Sequence, residues 1–332
     1  MNTNINVDIN GIKKAQSILN GNARHTPLVK SFYLSSVTGG EVFLKMENMQ
    51  LTGSFKFRGA FNKIASLSDE QKAKGVIACS AGNHAQGVAL SCKLLGIKSK
   101  IVMPLTAPQA KVEATRGYGS EVVLFGQTFD DAKEECTRIY TETGETFLHP
   151  YDDVEVIKGQ GTIGIEILED LWDVETVLIP IGGGGLISGV AVALKSFNPN
   201  IKIIGIQAEN VHGMKASFDA KKIVSHFSKP TIADGCAVKV PGSLTFDIVN
   251  KYVDDIITVS EDDIKLAMKD LIQRGKAVVE GAGALATAGI ESGKCDKYIK
   301  GKKVVSIISG GNVDLARISE VCESFIIGNE IK

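Results

Sequence analysis

Short runs of aliphatic and β-branched residues alternate with longer stretches whose apolar positions recur every three or four residues, from about Val76 to the C-terminal part of the chain. The first pattern suits buried strands and the second amphipathic helices that cross back over a sheet. The expected fold class is therefore α/β, with mostly parallel strands. The periodicity predicts strands at 76–79, 100–103, 121–125, 176–181, 202–207, 256–259 and 303–309, and helices at 83–96, 109–118, 129–143, 154–171, 186–197, 262–274 and 282–292. Helix starts are marked at Ser68-Asp69-Glu70-Gln71 and Ser260-Glu261-Asp262-Asp263, where a hydroxyl can cap free amides and acids favour the positive helix end. These acidic clusters, with Asp152-Asp153 and Asp254-Asp255, read as solvated helix and turn chemistry rather than metal ligands.

Residues 177–194 carry no charge, nearly the length of a membrane-spanning helix. Pro180 and the run Gly182-Gly183-Gly184-Gly185 interrupt it, so a buried strand, a glycine loop and a buried helix are expected there. With 332 residues, 44% of them hydrophobic, the chain has room for two domains. Polar turns at 149–153 and near 49–53 are the candidate crossings. Its 37 basic and 38 acidic residues nearly cancel, which gives no long-range field for nucleic acid or an anionic membrane and favours a small-molecule ligand. Cys79, Cys92, Cys136, Cys236, Cys295 and Cys322 lie far apart, without zinc or redox spacing, and read as reduced thiols. The polar stretch 1–11 shows no signal-peptide pattern, so a cytoplasmic location is expected.

Two segments can carry chemistry. The four glycines lie between a predicted strand and a predicted helix, where several backbone N–H groups and the helix end can converge on a phosphate. A tight turn with close packing is the alternative. Gly183-x-Gly185-x-x-x-Gly189 followed by Glu209 is a loosened dinucleotide fingerprint, which keeps a nicotinamide-dependent dehydrogenase open; no Walker-type lysine follows the loop. In Leu51-Thr52-Gly53-Ser54-Phe55-Lys56-Phe57-Arg58-Gly59-Ala60, a lysine between two phenylalanines near a helix start would lose solvation, and its neutral amine could attack an aldehyde. Alone, it would read as a surface lysine laid along apolar neighbours.

The lysine segment, Ser80-Ala81-Gly82-Asn83-His84, the tetraglycine loop and Ser309-Gly310-Gly311-Asn312 occur in the order seen in fold-type II pyridoxal-phosphate enzymes. From about Ile12 to about Ser319 the sequence resembles the threonine dehydratase and serine racemase family. It looks closest to the short biodegradative threonine dehydratases, also through residues 209–214 and Ala233-Asp234-Gly235-Cys236. The resemblance implies two open twisted sheet domains of the tryptophan synthase β-like architecture: a larger one from residues 1–50 and 152–332, and a smaller one from 51–151 that carries the lysine. It implies pyridoxal 5′-phosphate as cofactor and conversion of L-threonine, and of L-serine, to a 2-oxo acid and ammonia. Lys56 would form the Schiff base, Gly182, Gly183, Gly184 and Gly185 would hold the phosphate, and Phe55 would pack against the cofactor ring. Asn83 would hold the ring hydroxyl and Ser309 would face the pyridine nitrogen. Ser80, Ala81, Gly82, Asn83 and His84 would receive the substrate carboxylate. For Asn83 and Ser309, ordinary capping of a helix or strand is the alternative.

A neutral hydroxyl at Ser309 does not force protonation of the ring nitrogen, which suits prompt loss of a β-leaving group over a long-lived carbanion. The resembling racemases carry a serine, the acid and base of the opposite face, where this chain has Ala81; that difference favours dehydration over racemisation. Their divalent-metal carboxylates match Gln207 and Gly213 here, so no essential divalent ion is expected, which leaves room for a monovalent one. Biosynthetic relatives continue into a regulatory domain, whereas this sequence ends at Lys332, so feedback through such a domain is not expected. Biodegradative relatives imply an AMP-like nucleotide activator and a homodimer or homotetramer. The rivals from other classes are the dehydrogenase and a catalytically inactive amino-acid or nucleotide sensor.

Overall fold

The computed structural model describes residues 6–326; the first five residues of the polar N-terminal stretch and the terminal Lys332 lie outside the described residues. Ten strands form two sheets. They are β1 (Leu28–Lys30), β2 (Glu41–Lys45), β3 (Val76–Cys79), β4 (Ser99–Met103), β5 (Glu121–Leu124), β6 (Thr146–Phe147), β7 (Thr176–Pro180), β8 (Lys202–Ala208), β9 (Asp255–Val259) and β10 (Lys303–Ile307). One sheet has the order β1-β2-β10-β7-β8-β9 and the other β5-β4-β3-β6. Apart from the antiparallel β1–β2 pair, the ladders are parallel. The α/β expectation holds, and each of the seven predicted strands and seven predicted helices is present within two residues at either end. β1, β2 and β6 were not foreseen.

Period-2 alternation explains both cores. In the smaller sheet Val76 and Ala78 face the helices Lys56–Ala65 and Asn83–Leu95, while Ile77 and Cys79 face Phe129–Thr143. That last helix buries Ala132, Cys136 and Ile139, one stripe at the i, i+4, i+7 spacing. In the larger sheet Leu178, Ile204 and Ile206 join one apolar cluster and Val177, Ile179 and Ile203 the other. Each such aliphatic side chain contributes about 1.5–3 kcal/mol relative to exposure. Residues 177–194 fold as a strand, a loop and the helix Gly185–Phe197, and among the described residues no helix is long and apolar enough to cross a membrane.

The marked helix starts form capping boxes, Ser68 with Gln71 and Ser260 with Asp263, and Thr128 with Asp131 adds a third.

Beneath the helix Lys56–Ala65 lies an ionic network. Arg58 donates to both oxygens of Glu47 at 2.7 and 2.8 Å and to both oxygens of Glu166 at 2.6 and 2.9 Å, and Lys45 lies 2.7 Å from Glu166. Arg58, Lys45 and Glu47 are at most 1% exposed. Two cations face Glu47 and Glu166, and Asp170 adds a third carboxylate 3.4 Å from Lys45, so the buried charges are compensated by one another. Burial alone would raise the Glu166 carboxyl, yet Arg58 and Lys45 hold it below its usual range. The network clamps the lysine helix to β2 and to the helix Val154–Asp170.

Candidate active site

The loop after β2 delivers Lys56 as the first residue of its helix. The approach is set by Gly53, whose φ of +73° suits glycine and where a Cβ would stand 2.4 Å from Asn312 Oδ1. The flanking chain is pinned to the segment after β10: Phe55 N–H donates to Ser309 O at 3.1 Å, and Ser54 bridges Gly310. Asn312 Nδ2 reaches the Thr52 carbonyl at 2.7 Å. Two segments some 250 residues apart are thus held together.

Lys56 Nζ donates to the Pro150 carbonyl at 2.9 Å. Part of the side chain borders open space, but burial of the amine pulls its pKa down to about 8, against the opposing pull of Cys236 and Glu280. A sizeable neutral fraction is then present near neutral pH. Phe57, the next residue, is wholly buried, and Phe55 lies with its ring centroid 5.2 Å from Nζ.

Tyr151, next to Pro150, packs on the glycine loop, where a Cβ at Gly183 would stand 2.4 Å from its ring. Gly184 has φ +95° and caps the helix Gly185–Phe197, whose first turn closes with Ser188 N–H on the Gly184 carbonyl. Among the described residues the amides of Gly182, Gly183, Gly184 and Gly185 find no acceptor. Four free N–H groups at the positive end of a helix suit a phosphate, and a Cβ at these glycines would press on Cys236, Tyr151, Met214 or Thr245. The residues present fit pyridoxal phosphate: an aldehyde-reactive amine on one side and an anion cradle on the other.

The Ser80–His84 segment opens the helix Asn83–Leu95. Gly82 N–H donates to Ser80 Oγ at 3.2 Å, while the amides of Ala81, Asn83 and His84 have no acceptor among the described residues. The His84 ring turns inward, bonded to the Leu148 carbonyl at 2.9 Å, and burial first and Lys56 second push its pKa down to about 3. It is a neutral structural ring, so this segment offers backbone amides and the Ser80 hydroxyl.

Asn83 Nδ2 donates to Glu280 Oε1 at 2.7 Å, and Asn83 Oδ1 accepts from Asn312 at 2.8 Å, leaving one amide N–H for another partner. Ser309 is buried, and among the described residues its hydroxyl makes only a long 3.4 Å contact to the Ala282 carbonyl, so it can turn to a better partner. Sequence reasoning missed Glu280, whose carboxyl burial raises to about 7. Its signal was present as a lone acid in Val279-Glu280-Gly281-Ala282-Gly283, at the N-cap of a helix.

Gln207 is buried, with Nε2 on the Ile181 carbonyl at 3.3 Å and Oε1 accepting Lys215 N–H at 2.8 Å, and a Cβ at Gly213 would stand 2.2 Å from the Lys239 carbonyl. At these two positions amide hydrogen bonds and close backbone packing occupy the space.

A family model described as "Pyridoxal-phosphate dependent enzyme" matches residues 19–310. A catabolic L-threonine dehydratase TdcB from Staphylococcus aureus (strain N315) is 59% identical over 319 residues, 96% of this chain and 92% of that one. Maize serine racemase superposes with a TM-score of 0.91 at 37% identity, covering 98% of this chain and 99% of the other. The processed threonine deaminase isoform 2 of Solanum lycopersicum gives 0.89 at 40% identity, over 95% of this chain and 86% of that one. A buried low-pKa lysine facing a cradle of free amides, together with these matches, establishes that the chain belongs to the pyridoxal-phosphate dependent enzyme family.

Proposed function

We propose that this chain is an ammonia-lyase that dehydrates L-threonine to 2-oxobutanoate and ammonia, and L-serine to pyruvate and ammonia. The observation that carries the reading is the pairing of the Lys56 amine with the unpartnered amides of the tetraglycine loop, across the segment Pro150-Tyr151. The relatives named as catabolic L-threonine dehydratase support the substrate. When bound, pyridoxal phosphate supplies an electron sink for a negative charge at the substrate Cα.

In this reading Lys56 is both the anchor of the cofactor and the base that takes the Cα proton, a role its neutral amine suits. Gly182 to Gly185 hold the phosphate, Phe55 packs on the ring, Asn83 spends its remaining N–H on the ring hydroxyl, and Ser309 turns its hydroxyl to the pyridine nitrogen. Ser80 to His84 orient the substrate through its carboxylate. The β-hydroxyl leaves as water, and the released enamine tautomerises and hydrolyses to the 2-oxo acid. The smaller unit, 51–151, closes on the larger, 1–50 with 152–332, and excludes water; the four-stranded sheet within 76–147 supports that division. The exposed side chains Val29 on edge strand β1 and Phe32 and Val37 on the helix that follows it support a homodimer or homotetramer. Six unpaired cysteines support a reducing, cytoplasmic location. An AMP-like activator belongs to the proposal by family likeness alone.

The test is spectroscopic and kinetic. The purified protein should be yellow, borohydride should bleach it while fixing the cofactor to Lys56, and L-threonine should yield 2-oxobutanoate. A colourless protein that gives no 2-oxo acid after addition of pyridoxal phosphate defeats the proposal. Comparing initial rates on threonine and serine sets the preference, since one methyl group is worth only about 1–3 kcal/mol.

Ala81→Ser should raise racemisation of L-serine without abolishing dehydration. Lys56 serves one face of the planar Cα, and inversion needs a proton donor on the other, which a methyl group cannot be. Residue 81 borders open space, so one added oxygen fits. Chiral chromatography of serine incubated with each protein decides: an active, cofactor-bound variant making no more D-serine than the parent removes residue 81 from the explanation.

A further inference from the structure

Away from this site, the C-terminal turns of the helices Glu261–Gln273 and Gly281–Glu291 meet at a water-sized cavity of about 10 Å³. Asp270 stands in the last turn of the first helix and Glu291 is the final residue of the second, and both line the cavity with Ser31, Tyr33 and Thr287. The arrangement is electrostatically adverse if both acids are ionised, because the carboxylates face each other and two helix ends add their own negative partial charge.

The compensation is uneven. Asp270 Oδ2 accepts the Tyr33 hydroxyl at 3.1 Å, and Oδ1, which makes no hydrogen bond among the described residues, has Lys269 at 3.2 Å and Arg274 at 3.6 Å as ion-pair partners. Arg274 also stacks on the Tyr33 ring at 4.2 Å. Glu291 has nothing comparable: both its oxygens are shielded from solvent, and neither meets a donor among the described residues. A protonated Glu291 would resolve this, since its O–H can donate to the neighbouring Asp270 carboxylate.

We propose that Asp270 and Glu291 share one proton, carried by Glu291, and that this bond is a pH-sensitive latch fastening the helix Gly281–Glu291, whose other end begins at Glu280 in the active site. Burial, then the charge of Asp270, raises the Glu291 carboxyl to about 8, with Lys269 and Arg274 opposing. The folded value thus lies above the ordinary one near 4.5. The stabilisation is complete below about pH 4.5 and is lost as pH rises through about 8, because the unfolded chain gives up its proton first.

The experiment compares the holoenzyme with Glu291→Gln, whose amide can donate to Asp270 at any pH. Between about pH 6 and pH 9, a window spanning the Glu291 value, the parent should lose several degrees more of Tm than the variant. Difference infrared spectra of the parent against Glu291→Gln should show a protonated carboxyl stretch that vanishes through about pH 8, apart from the Glu280 stretch that both proteins keep. In Asp270→Asn the band should titrate at lower pH. Equal alkaline losses of Tm, or no such band in the parent at neutral pH, would overturn the latch. So would recovery of the alkaline Tm on adding potassium, which would mean that the cavity holds a cation.

Discussion

Lys56→Ala should keep its fold and some noncovalently held pyridoxal phosphate, yet lose threonine dehydration by about 10³-fold or more, since base catalysis alone is worth about 10²–10⁴-fold. Alanine suits the first turn of a helix, and the only hydrogen bond that the Nζ makes among the described residues is to Pro150 O, so little stability is at stake. Retained phosphate-dependent cofactor binding with no turnover is the expected pair of results. Steady-state turnover near the parent's would assign the base elsewhere. The depressed pKa adds a second readout. The neutral amine is the reactive form, so cofactor uptake by the apoprotein should quicken as pH approaches about 8 and level off above it.

Arg58→Met should be the most destabilising single change near the site. It leaves Glu47 and Glu166 buried with, among the described residues, only Thr26 and Lys45 as partners, and breaking a buried pair from one side costs about 3–5 kcal/mol. Lysine would not rescue it, because one ammonium cannot span two carboxylates bidentately. The Glu166 carboxyl lies below its ordinary range in the fold, so its contribution is present above the usual carboxylate pKa and is lost as pH falls through the lowered value. Acid should therefore cost the parent more stability than the variant. Urea midpoints at neutral and acid pH check both statements; an unchanged neutral midpoint would show that the network contributes nothing net.

What could be read from the sequence was what repeats locally. The strand 76–79 and its neighbours announced themselves by β-branched runs, and the phosphate cradle by four adjacent glycines. β1 and β2 escaped because three and five residues ending in Lys30 and Lys45 carry no clear alternation, and the buried Lys45 amine is met by Glu166, Asp170 and the Thr26 carbonyl, all distant in sequence or outside the strand. Glu280 escaped for the same reason as the Arg58 network. Its partner, Asn83, lies 197 residues away, and no local pattern reports such a pairing. Asn83 and Ser309 were legible only through the ordered motifs around them, and their hydrogen bonds to Glu280, Asn312 and Ala282 were not legible at all.

The order of strands in the larger sheet bears on how the molecule is made. β10 is the last strand among the described residues, yet it lies between β2 and β7, with Val305 beside both Phe43 and Val177. About 260 residues separate β2 from β10. At ribosomal speeds of about 5–20 residues per second, β1 and β2 wait about 13–50 s after synthesis for the neighbour that joins them to the sheet. Because Phe55 and Ser54 are pinned to Ser309 and Gly310, the lysine's surroundings wait equally long. The surroundings of the lysine are therefore complete only once the strand made last among the described residues sits in the middle of the sheet.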